Sequence, residues 1–278
     1  MNSVVHVRGL SKSYGSLQAV RNLHLDVEYG EIFAILGPNG AGKSTTIEIL
    51  EGHRQRDSGQ VRVLAEDPET AGRSWRAQIG IVLQEVSDAG MLTVSETVKM
   101  FAKCYGTARP TEEVLELVGL GSVSESRVRT LSGGQRRRLD VALGIVNLPK
   151  LLFLDEPTTG FDPEARRRFW DLIRLLAADG TTILLTTHYL DEAAALADRV
   201  AVIAAGGVVA VDSPHNLIGY VDSAATVRWR TGDETHMVKT DHPTELIRER
   251  SMAGAELADL TVSRPTLEDA YLQLIGLG

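Results

Sequence analysis

The segment best suited to chemistry is a glycine-rich stretch followed by lysine and serine, at residues 37–44. Its sequence, GPNGAGKS, matches G-x-x-x-x-G-K-[ST], and it lies between an apolar run at residues 32–36 and a helical pattern. Glycines let the backbone approach an anion closely, while backbone N–H groups and the helix N-terminus face its oxygens. Lys43 would add positive charge at the β- and γ-phosphates, and the Ser44 hydroxyl could hold Mg²⁺. The segment therefore predicts a nucleotide phosphate site.

Three more apolar runs end in polar residues. These are residues 79–83 before Gln84, residues 151–154 before Asp155 and Glu156, and residues 182–187 before His188. Ligands of open parallel sheets bind outside the carboxyl ends of the strands, so these side chains are expected beside the phosphate loop. Asp155 is the expected Mg²⁺ partner, and Glu156 could reach the attacking water as general base. His188 could contact the γ-phosphate and Gln84 the metal or the water, while a plain loop role stays open for both.

A second glycine motif, LSGGQ at residues 131–135, precedes an arginine-rich helical pattern. Ser132 could simply cap that helix. The alternative is a second anion site made of a hydroxyl, two glycine amides and a helix N-terminus. On that interpretation one chain carries two half-sites for one nucleotide.

The elements that must position these residues follow from the hydrophobic pattern. Apolar runs alternate with helical patterns, which predicts an α/β fold with a largely parallel sheet, and earlier runs at residues 4–7, 23–27 and 60–63 predict an antiparallel flank. Helices are predicted at residues 43–51, 93–105, 111–118, 133–147 and 162–177, from period and capping residues. Behind residue 220 the pattern predicts a small α+β appendage, with strands at 226–230 and 236–239 and helices at 243–250 and 266–275.

Composition excludes several functional classes. Asp and Glu outnumber Lys and Arg by 37 to 29, and a chain with net charge −8 is a poor general binder of nucleic acid. A single cysteine, Cys104, excludes an intrachain disulfide and favours the cytoplasm, and its apolar helical surroundings predict a buried side chain. The N-terminus lacks a signal-peptide pattern, and the longest uncharged apolar stretch, residues 200–211, is too short for a bilayer. We expect another chain to supply any membrane span.

Over roughly residues 4–220 the sequence resembles the ATP-binding subunits of ABC transporters. The motifs come in the family order: Tyr14 as the aromatic stacking residue, the Walker A loop at 37–45, the Q-loop at Gln84, the signature at 131–135, Walker B at 151–155 with Glu156, the D-loop at 159–162 and the switch His188. The resemblance implies a P-loop NTPase (RecA-like) core in an ATP-binding cassette, residues 1–220, with a helical subdomain at about 90–147. Residues 221–278 would form an accessory domain.

The resemblance also implies the cofactors ATP and Mg²⁺ and a set of site residues. Catalytic roles fall on Glu156, His188, Gln84 and Lys43, and Mg²⁺ ligation falls on Ser44, Gln84 and Asp155. Nucleotide contacts are implied for Tyr14, Gly37, Pro38, Asn39, Gly40, Ala41, Gly42, Lys43, Ser44, Thr45, Ser132, Gly133, Gly134, Gln135 and Asp162.

The partners implied are a second cassette and a membrane protein. ATP would lie between the Walker A loop of one subunit and residues 132–135 of the other, in a head-to-tail dimer of identical or different cassettes. Gln84 would face a separate transmembrane permease, which places the chain at the cytoplasmic face of the cell membrane. The ending RPTLEDAYL, residues 264–272, is similar to that of drug-resistance-type ABC exporters and implies export of a drug-like, antibiotic or lipid substrate. Phe161 and Tyr189 replace the common leucine and methionine with other largely apolar side chains.

Two other functional classes are open to the sequence. A soluble ABC-type ATPase of translation or DNA repair is disfavoured by the single cassette, the lack of long heptads, the single cysteine and the acidity. A non-catalytic regulator would use the appendage to bind a partner, and the appendage alone could also stabilise a dimer. The arginines at 136–138 and 166–168 are interpreted as solvated helix faces or dimer contacts, so no nucleic acid is expected.

Overall fold

The computed structural model describes residues 3–82, 90–220, 224–252 and 257–276, and it divides into two compact units, Met1–Val211 and Asp212–Gly278. The strands are β1 (Ser3–Tyr14), β2 (Leu17–Glu28), β3 (Ile32–Leu36), β4 (Ser58–Val63), β5 (Ile79–Val82), β6 (Leu151–Asp155), β7 (Thr182–Thr187), β8 (Arg199–Ala204), β9 (Gly207–Asp212), β10 (Ala225–Thr231), β11 (Glu234–Thr240) and β12 (Ala258–Ser263). The α-helices are α1 (Lys43–Leu50), α2 (Arg73–Arg76), α3 (Val94–Ala102), α4 (Thr111–Leu117), α5 (Gly133–Ile145), α6 (Pro163–Ala178), α7 (Leu190–Leu196), α8 (Pro214–Ile218), α9 (Pro243–Met252) and α10 (Leu267–Leu274).

The central sheet of the first unit has the strand order β5-β6-β7-β3-β8-β9. Each neighbouring pair from β5 to β8 is parallel. Strands β3 and β7 are buried along their whole length, as expected of parallel strands covered on both faces. The predicted α/β fold with a parallel sheet is confirmed.

Strands β8 and β9 were not predicted, because the sequence pattern treated residues 200–211 only as a stretch too short for a membrane. Here the apolar stretch is broken into two strands by a turn at Ala205 and Gly206, which both have positive φ angles. Strand β8 pairs with β3 and so extends the sheet beside the phosphate loop.

A second sheet in this unit has the order β2-β1-β4, with both pairings antiparallel. His6 lies opposite Asp26 on one side of β1, and Val7 lies opposite Val61 on the other. The apolar side chains of this second sheet share one hydrophobic core with side chains of the central sheet, including Phe33 of β3. The predicted antiparallel flank is confirmed.

The helices start where the capping residues predicted. Thr93 and Glu96 form a capping box at the start of α3, and Asp162 caps α6 ahead of Pro163. Helix α3 ends at Ala102, three residues earlier than predicted, so Cys104 lies in the following turn and is exposed. The prediction of a buried Cys104 was therefore wrong.

The second unit contains a sheet of order β11-β10-β12 together with α8, α9 and α10. Val227 and Trp229 of β10 and Leu217 of α8 are buried within it. Strand β12 and helix α8 were not predicted; β12 leaves Leu260 and Val262 partly exposed, which weakens its hydrophobic pattern. The chain divides into its two compact units between residues 211 and 212, whereas the predicted domain boundary lies near residue 220 and stays a prediction.

Among the described helices, none has both the length and the hydropathy needed to cross a bilayer.

Two glycines allow β5 and α5 to pack closely. A Cβ atom on Gly80 would lie 2.0 Å from the carbonyl oxygen of Gly144 and 2.8 Å from Leu152 Cδ1. We expect Gly80→Ala to lower the free energy of unfolding by about 1–3 kcal/mol, because the backbone of α5 must shift to make room. Urea unfolding measures this loss. Gly106→Ala is the control, since a Cβ there meets nothing within 4 Å, and equal midpoints for the two variants would contradict the prediction.

A buried carboxyl at the end of α1 makes stability depend on pH. Glu51 is 3% exposed, with His53 Nδ1 3.3 Å from its Oε2. Burial, together with the negative charges of Asp155 and Glu48, raises the pKa of Glu51 from 4.5 to about 8. The folded state therefore favours the neutral carboxyl, so its stabilising contribution is complete below pH 4.5 and is lost as pH rises through 8.

We expect the free energy of unfolding to fall between pH 5 and pH 8 with a slope of about 1 kcal/mol per pH unit. Glu51→Gln should flatten that slope, because glutamine does not ionise. Chemical denaturation at several pH values provides the measurement, with the exposed Glu112→Gln as control. A Glu51→Gln variant with the wild-type slope would refute the assignment.

Candidate active site

The loop between β3 and α1 is pressed against two neighbouring backbones. A Cβ on Gly37 would lie 2.4 Å from the carbonyl oxygen of Ile203, and one on Gly42 would lie 2.3 Å from that of Ala19. Gly42 also has φ +99° and precedes α1 without any side-chain cap. The first N–H groups of α1 have no intrahelical acceptor and are available to a ligand at this end of the helix.

Lys43 lies inside this loop and is only 5% exposed. Its Nζ donates to the carbonyl oxygens of Gly37 at 2.8 Å and Pro38 at 3.2 Å. Burial lowers the pKa of Lys43, and the negative charges of Glu156 and Asp155 act in the opposite direction. The ammonium group is therefore held by two backbone carbonyls of the loop, and positive charge beside the N-terminus of α1 suits a bound polyphosphate.

The predicted acidic residues lie at the carboxyl end of β6, and one threonine of β7 links the Asp155 carboxylate to the Glu156 backbone N–H. Thr186 Oγ1 donates to Asp155 Oδ1 and accepts from the Glu156 N–H at 3.1 Å. The Glu156 N–H also donates to the Thr186 carbonyl oxygen at 3.2 Å. Glu156 has φ +44°, a left-handed conformation that costs a non-glycine residue about 1–3 kcal/mol. Such strain is typical of functional sites, where surrounding contacts hold it in place.

His188 follows β7 and lies beside the carboxylate of Glu156. Its Nδ1 lies 3.3 Å from Glu156 Oε1, and its ring lies 4.1 Å from the ring of Tyr189, centroid to centroid. The two side chains that were predicted to handle the attacking water and the γ-phosphate are thus direct neighbours.

One open cleft of about 460 Å³ collects seven of the fifteen predicted nucleotide residues. Its lining consists of Tyr14, Leu17, Ala19, Asn39, Gly40, Gly42, Lys43, Ser44, Thr45 and Glu156. The lining therefore combines an aromatic residue, part of the phosphate loop and the candidate general base.

Other predicted residues lie elsewhere. Among the described residues lining the cleft, none comes from 132–135; Ser132 and Gln135 instead form a reciprocal capping box at the start of α5. The Asp162 side chain accepts from the Ala165 N–H at 2.8 Å and caps α6. Gln84 falls outside the described residues.

Sequence reasoning missed Thr186 and mistook Arg137. Thr186 is the last but one residue of a predicted strand, and only the pairing of β6 with β7 places it opposite Asp155. Arg137 was interpreted as solvated or as a dimer contact, but it is only 10% exposed and binds backbone carbonyls near Glu156. Its spacing from Asp140, Val141 and Gly144, all buried on α5, gives the helical signal that could have found it. The exposed Arg136, Arg167 and Arg168 agree with the prediction.

The donor set near the cleft suits Mg²⁺. Ser44 offers a hydroxyl and Asp155 a carboxylate, and the described residues contain no cluster of three His, Cys, Asp or Glu side chains able to hold a metal. Mg²⁺ is commonly bound through one or two protein oxygens together with phosphates and water. A bound nucleotide would supply the remaining oxygens.

A sheet of this topology with a phosphate loop and paired carboxylates defines a P-loop nucleoside triphosphatase. The family model described as ABC transporter matches residues 20–159. The chain is 46% identical over 211 residues to the daunorubicin/doxorubicin resistance ATP-binding protein DrrA of Streptomyces peucetius, covering 74% of this chain and 64% of that protein. It is 37% identical over 297 residues to the Nod factor export ATP-binding protein I of Rhizobium sp., covering 98% and 97%.

Solved structures agree with these relatives. CbiO1 of Clostridium perfringens, part of the ABC transporter complex cbiONQ, matches with a TM-score of 0.71 and 27% identity over 79% of this chain and 92% of its own. A dimeric ATP-binding cassette in a post-hydrolysis state with ADP and Pi matches with a TM-score of 0.68 and 25% identity, covering 75% and 98%. The chain belongs to the ATP-binding subunits of ABC transporters. The predicted fold class and the predicted ATPase activity are confirmed.

The Tyr14 ring lines the cleft and has a cationic neighbour. It is 39% exposed, and the Arg54 guanidinium, which is hydrogen-bonded to Glu48 of α1, lies 5.3 Å from its centroid. We expect Tyr14→Ala to weaken ATP binding by about 1–3 kcal/mol, roughly 5–150-fold, through loss of stacking on adenine. Tyr14→Trp should retain affinity.

Calorimetric titration with ATP measures this change, and titration with inorganic tripolyphosphate separates base from phosphate binding. Tyr29→Ala serves as control, because Tyr29 is similarly exposed but does not line the cleft. If Tyr14→Ala weakened tripolyphosphate as much as ATP, base stacking would be the wrong explanation.

Proposed function

We propose that this chain hydrolyses ATP in a head-to-tail dimer and thereby powers a separate transmembrane permease. One observation carries the proposal: the phosphate loop and Glu156 share one cleft, whereas the second phosphate-binding motif of the same chain lies outside its lining. A second cassette would complete the site by placing its own residues 132–135 opposite the loop.

The chain's own groups divide the chemistry among them. Backbone amides of the loop and Lys43 neutralise the phosphates, and the hydrolysis then depends mainly on positioning and charge. Glu156 accepts a proton from the attacking water, and His188, whose Nδ1 lies 3.3 Å from the Glu156 carboxylate, contacts the γ-phosphate. Ser44 and Asp155, with Gln84 as a further candidate, would hold Mg²⁺, which when bound neutralises charge on the phosphate oxygens.

The coupling of ATP hydrolysis to transport follows from the link between nucleotide binding and dimerisation. ATP contacts both subunits, so it favours the closed pair, and hydrolysis removes the phosphate that joins them. The similarity to a cassette that is dimeric with ADP and Pi supports this arrangement. The pair could contain two copies of this chain or one copy with a different cassette.

The inference of a permease partner and of the direction of transport rests on similarity to relatives. One relative is named a drug-resistance ATP-binding protein and another a Nod factor export ATP-binding protein, and a structural neighbour is part of an ABC transporter complex. Together with the exporter-like ending at residues 264–272, they support export of a drug-like, antibiotic or lipid substrate. The chain would then work at the cytoplasmic face of the membrane, bound to the permease.

Substitution of the general base tests this function. We expect Glu156→Gln to lower ATP turnover by roughly 10²–10⁴-fold, because a general base contributes that much, while ATP still binds. The variant should accumulate as an ATP-bound dimer, visible by size-exclusion chromatography with light scattering.

Two variants control this measurement. Glu164→Gln removes an exposed glutamate of α6 and should leave turnover unchanged, whereas Lys43→Ala should lose nucleotide binding and the ATP-induced dimer. Wild-type turnover in Glu156→Gln would remove the role assigned to Glu156. A variant that binds ATP yet stays monomeric, even with the permease present, would refute the shared site.

A further inference from the structure

Arg137 of α5 is hydrogen-bonded to the turn that carries the candidate general base. Its Nε donates to the carbonyl oxygen of Pro157 at 3.1 Å, and its Nη2 donates to that of Asp155 at 3.0 Å. These carbonyls belong to the residues immediately before and after Glu156. The guanidinium therefore bridges the two backbone carbonyls that flank Glu156.

The contact matters because the backbone of Glu156 needs support. Its φ of +44° lies in a region that non-glycine residues seldom occupy, and such a conformation persists only when surrounding contacts determine it. Thr186 fixes the Glu156 N–H, and Arg137 fixes the carbonyls on both sides. Contacts from strand β7 and from helix α5 thus fix the backbone from which the Glu156 side chain projects.

Only arginine suits this position. The guanidinium presents several N–H donors in a rigid planar fork, so one side chain can bind two separate carbonyls, whereas a lysine ammonium is a single compact charge. Burial lowers the pKa of Arg137, while the charges of Asp140, Asp155 and Glu192 favour the protonated form. Asp140, one turn further along α5, lies 3.9 Å from Arg137 Nη1.

We infer that Arg137 is a positioning residue for ATP hydrolysis: it holds the Asp155–Pro157 turn so that the Glu156 carboxylate meets the attacking water. This inference rests on the proposed role of Glu156. It also ties two parts of the proposed dimer together, because Arg137 lies two residues after Gln135 on the same helix. The motif that would contact the partner's nucleotide is therefore fastened to the turn that carries the subunit's own general base.

Arg137→Met and Arg137→Lys test the inference. We expect Arg137→Met to lower kcat by roughly 10–100-fold, since a misplacement of about 1 Å can cost that much, while KM and the ATP dissociation constant stay unchanged. Arg137→Lys should recover only part of the loss, because it restores the charge but not the fork. Arg174→Met is the control: Arg174 of α6 also donates to a backbone carbonyl, that of Ala195, and lies outside the arginines interpreted as dimer contacts.

A double-mutant cycle separates positioning from general damage. If Arg137 acts through Glu156, Arg137→Met should not reduce the residual turnover of Glu156→Gln any further, and the ATP-induced dimer of Glu156→Gln should still form. Multiplied losses in the double variant, or a loss of nucleotide affinity equal to the loss of kcat, would overturn the inference.

Wild-type kcat in both Arg137 variants would also overturn the inference, and Glu156→Gln would still report on the proposed function by itself. Thermal unfolding shows whether each variant is folded at the assay temperature. If Arg137→Met does not fold, Arg137→Lys carries the test, and a wild-type kcat in that variant decides against Arg137.

Discussion

The active site depends on how closely one loop can approach two neighbouring backbones. Carbonyl oxygens of Ala19 and Ile203 occupy the space that a side chain would need at Gly42 and Gly37. This packing fixes the loop against β2 and β8, and it directs the first turn of α1 toward the cleft. Any larger residue at either position would push the loop outward and move the amides away from the phosphates.

Strand order explains why the chemical groups meet. Strand β7 lies between β3 and β6 in the sheet, so the residue that follows β7 lies between the phosphate loop and the carboxylates. That residue is His188, and it contacts Glu156. Parallel pairing brings all three carboxyl ends to one edge, which is where open α/β sheets bind their ligands. The site is therefore a consequence of topology as much as of the motifs themselves.

The parts of this arrangement that sequence predicts are local. Glycine spacing identifies the phosphate loop, buried runs identify β3, β6 and β7, and capping residues identify the starts of α3 and α6. The antiparallel flank follows from short apolar runs split by turns. Strands β8 and β9 escaped because their shared apolar stretch carries no contrast between strand and turn apart from Gly206 and Gly207.

What sequence cannot predict is side-chain contact across elements. The register that sets Asp155 opposite Thr186 comes from packing of the whole sheet, so the threonine bridge had no local signal. Helical spacing could have separated the buried Arg137 from its exposed neighbour Arg136, but the contacts of Arg137 with the carbonyls of Asp155 and Pro157 had no local signal. The proposed contribution of residues 132–135 to catalysis depends on a second chain, which a single sequence does not place.

The capping box at the start of α5 nevertheless shows which ligand that motif suits. Ser132 Oγ accepts from the Gln135 N–H at 3.2 Å, and Gln135 Oε1 accepts from the Ser132 N–H at 2.9 Å. Both side-chain acceptors are thereby engaged, while the hydroxyl proton of Ser132 and the N–H groups of Gly133 and Gly134, which have no intrahelical acceptor, remain as donors. A surface that presents donors at the positive end of a helix favours an anion over a cation or an apolar group. The observed capping role of Ser132 is therefore compatible with the proposed phosphate-binding role, because the first uses its oxygen and the second would use its proton.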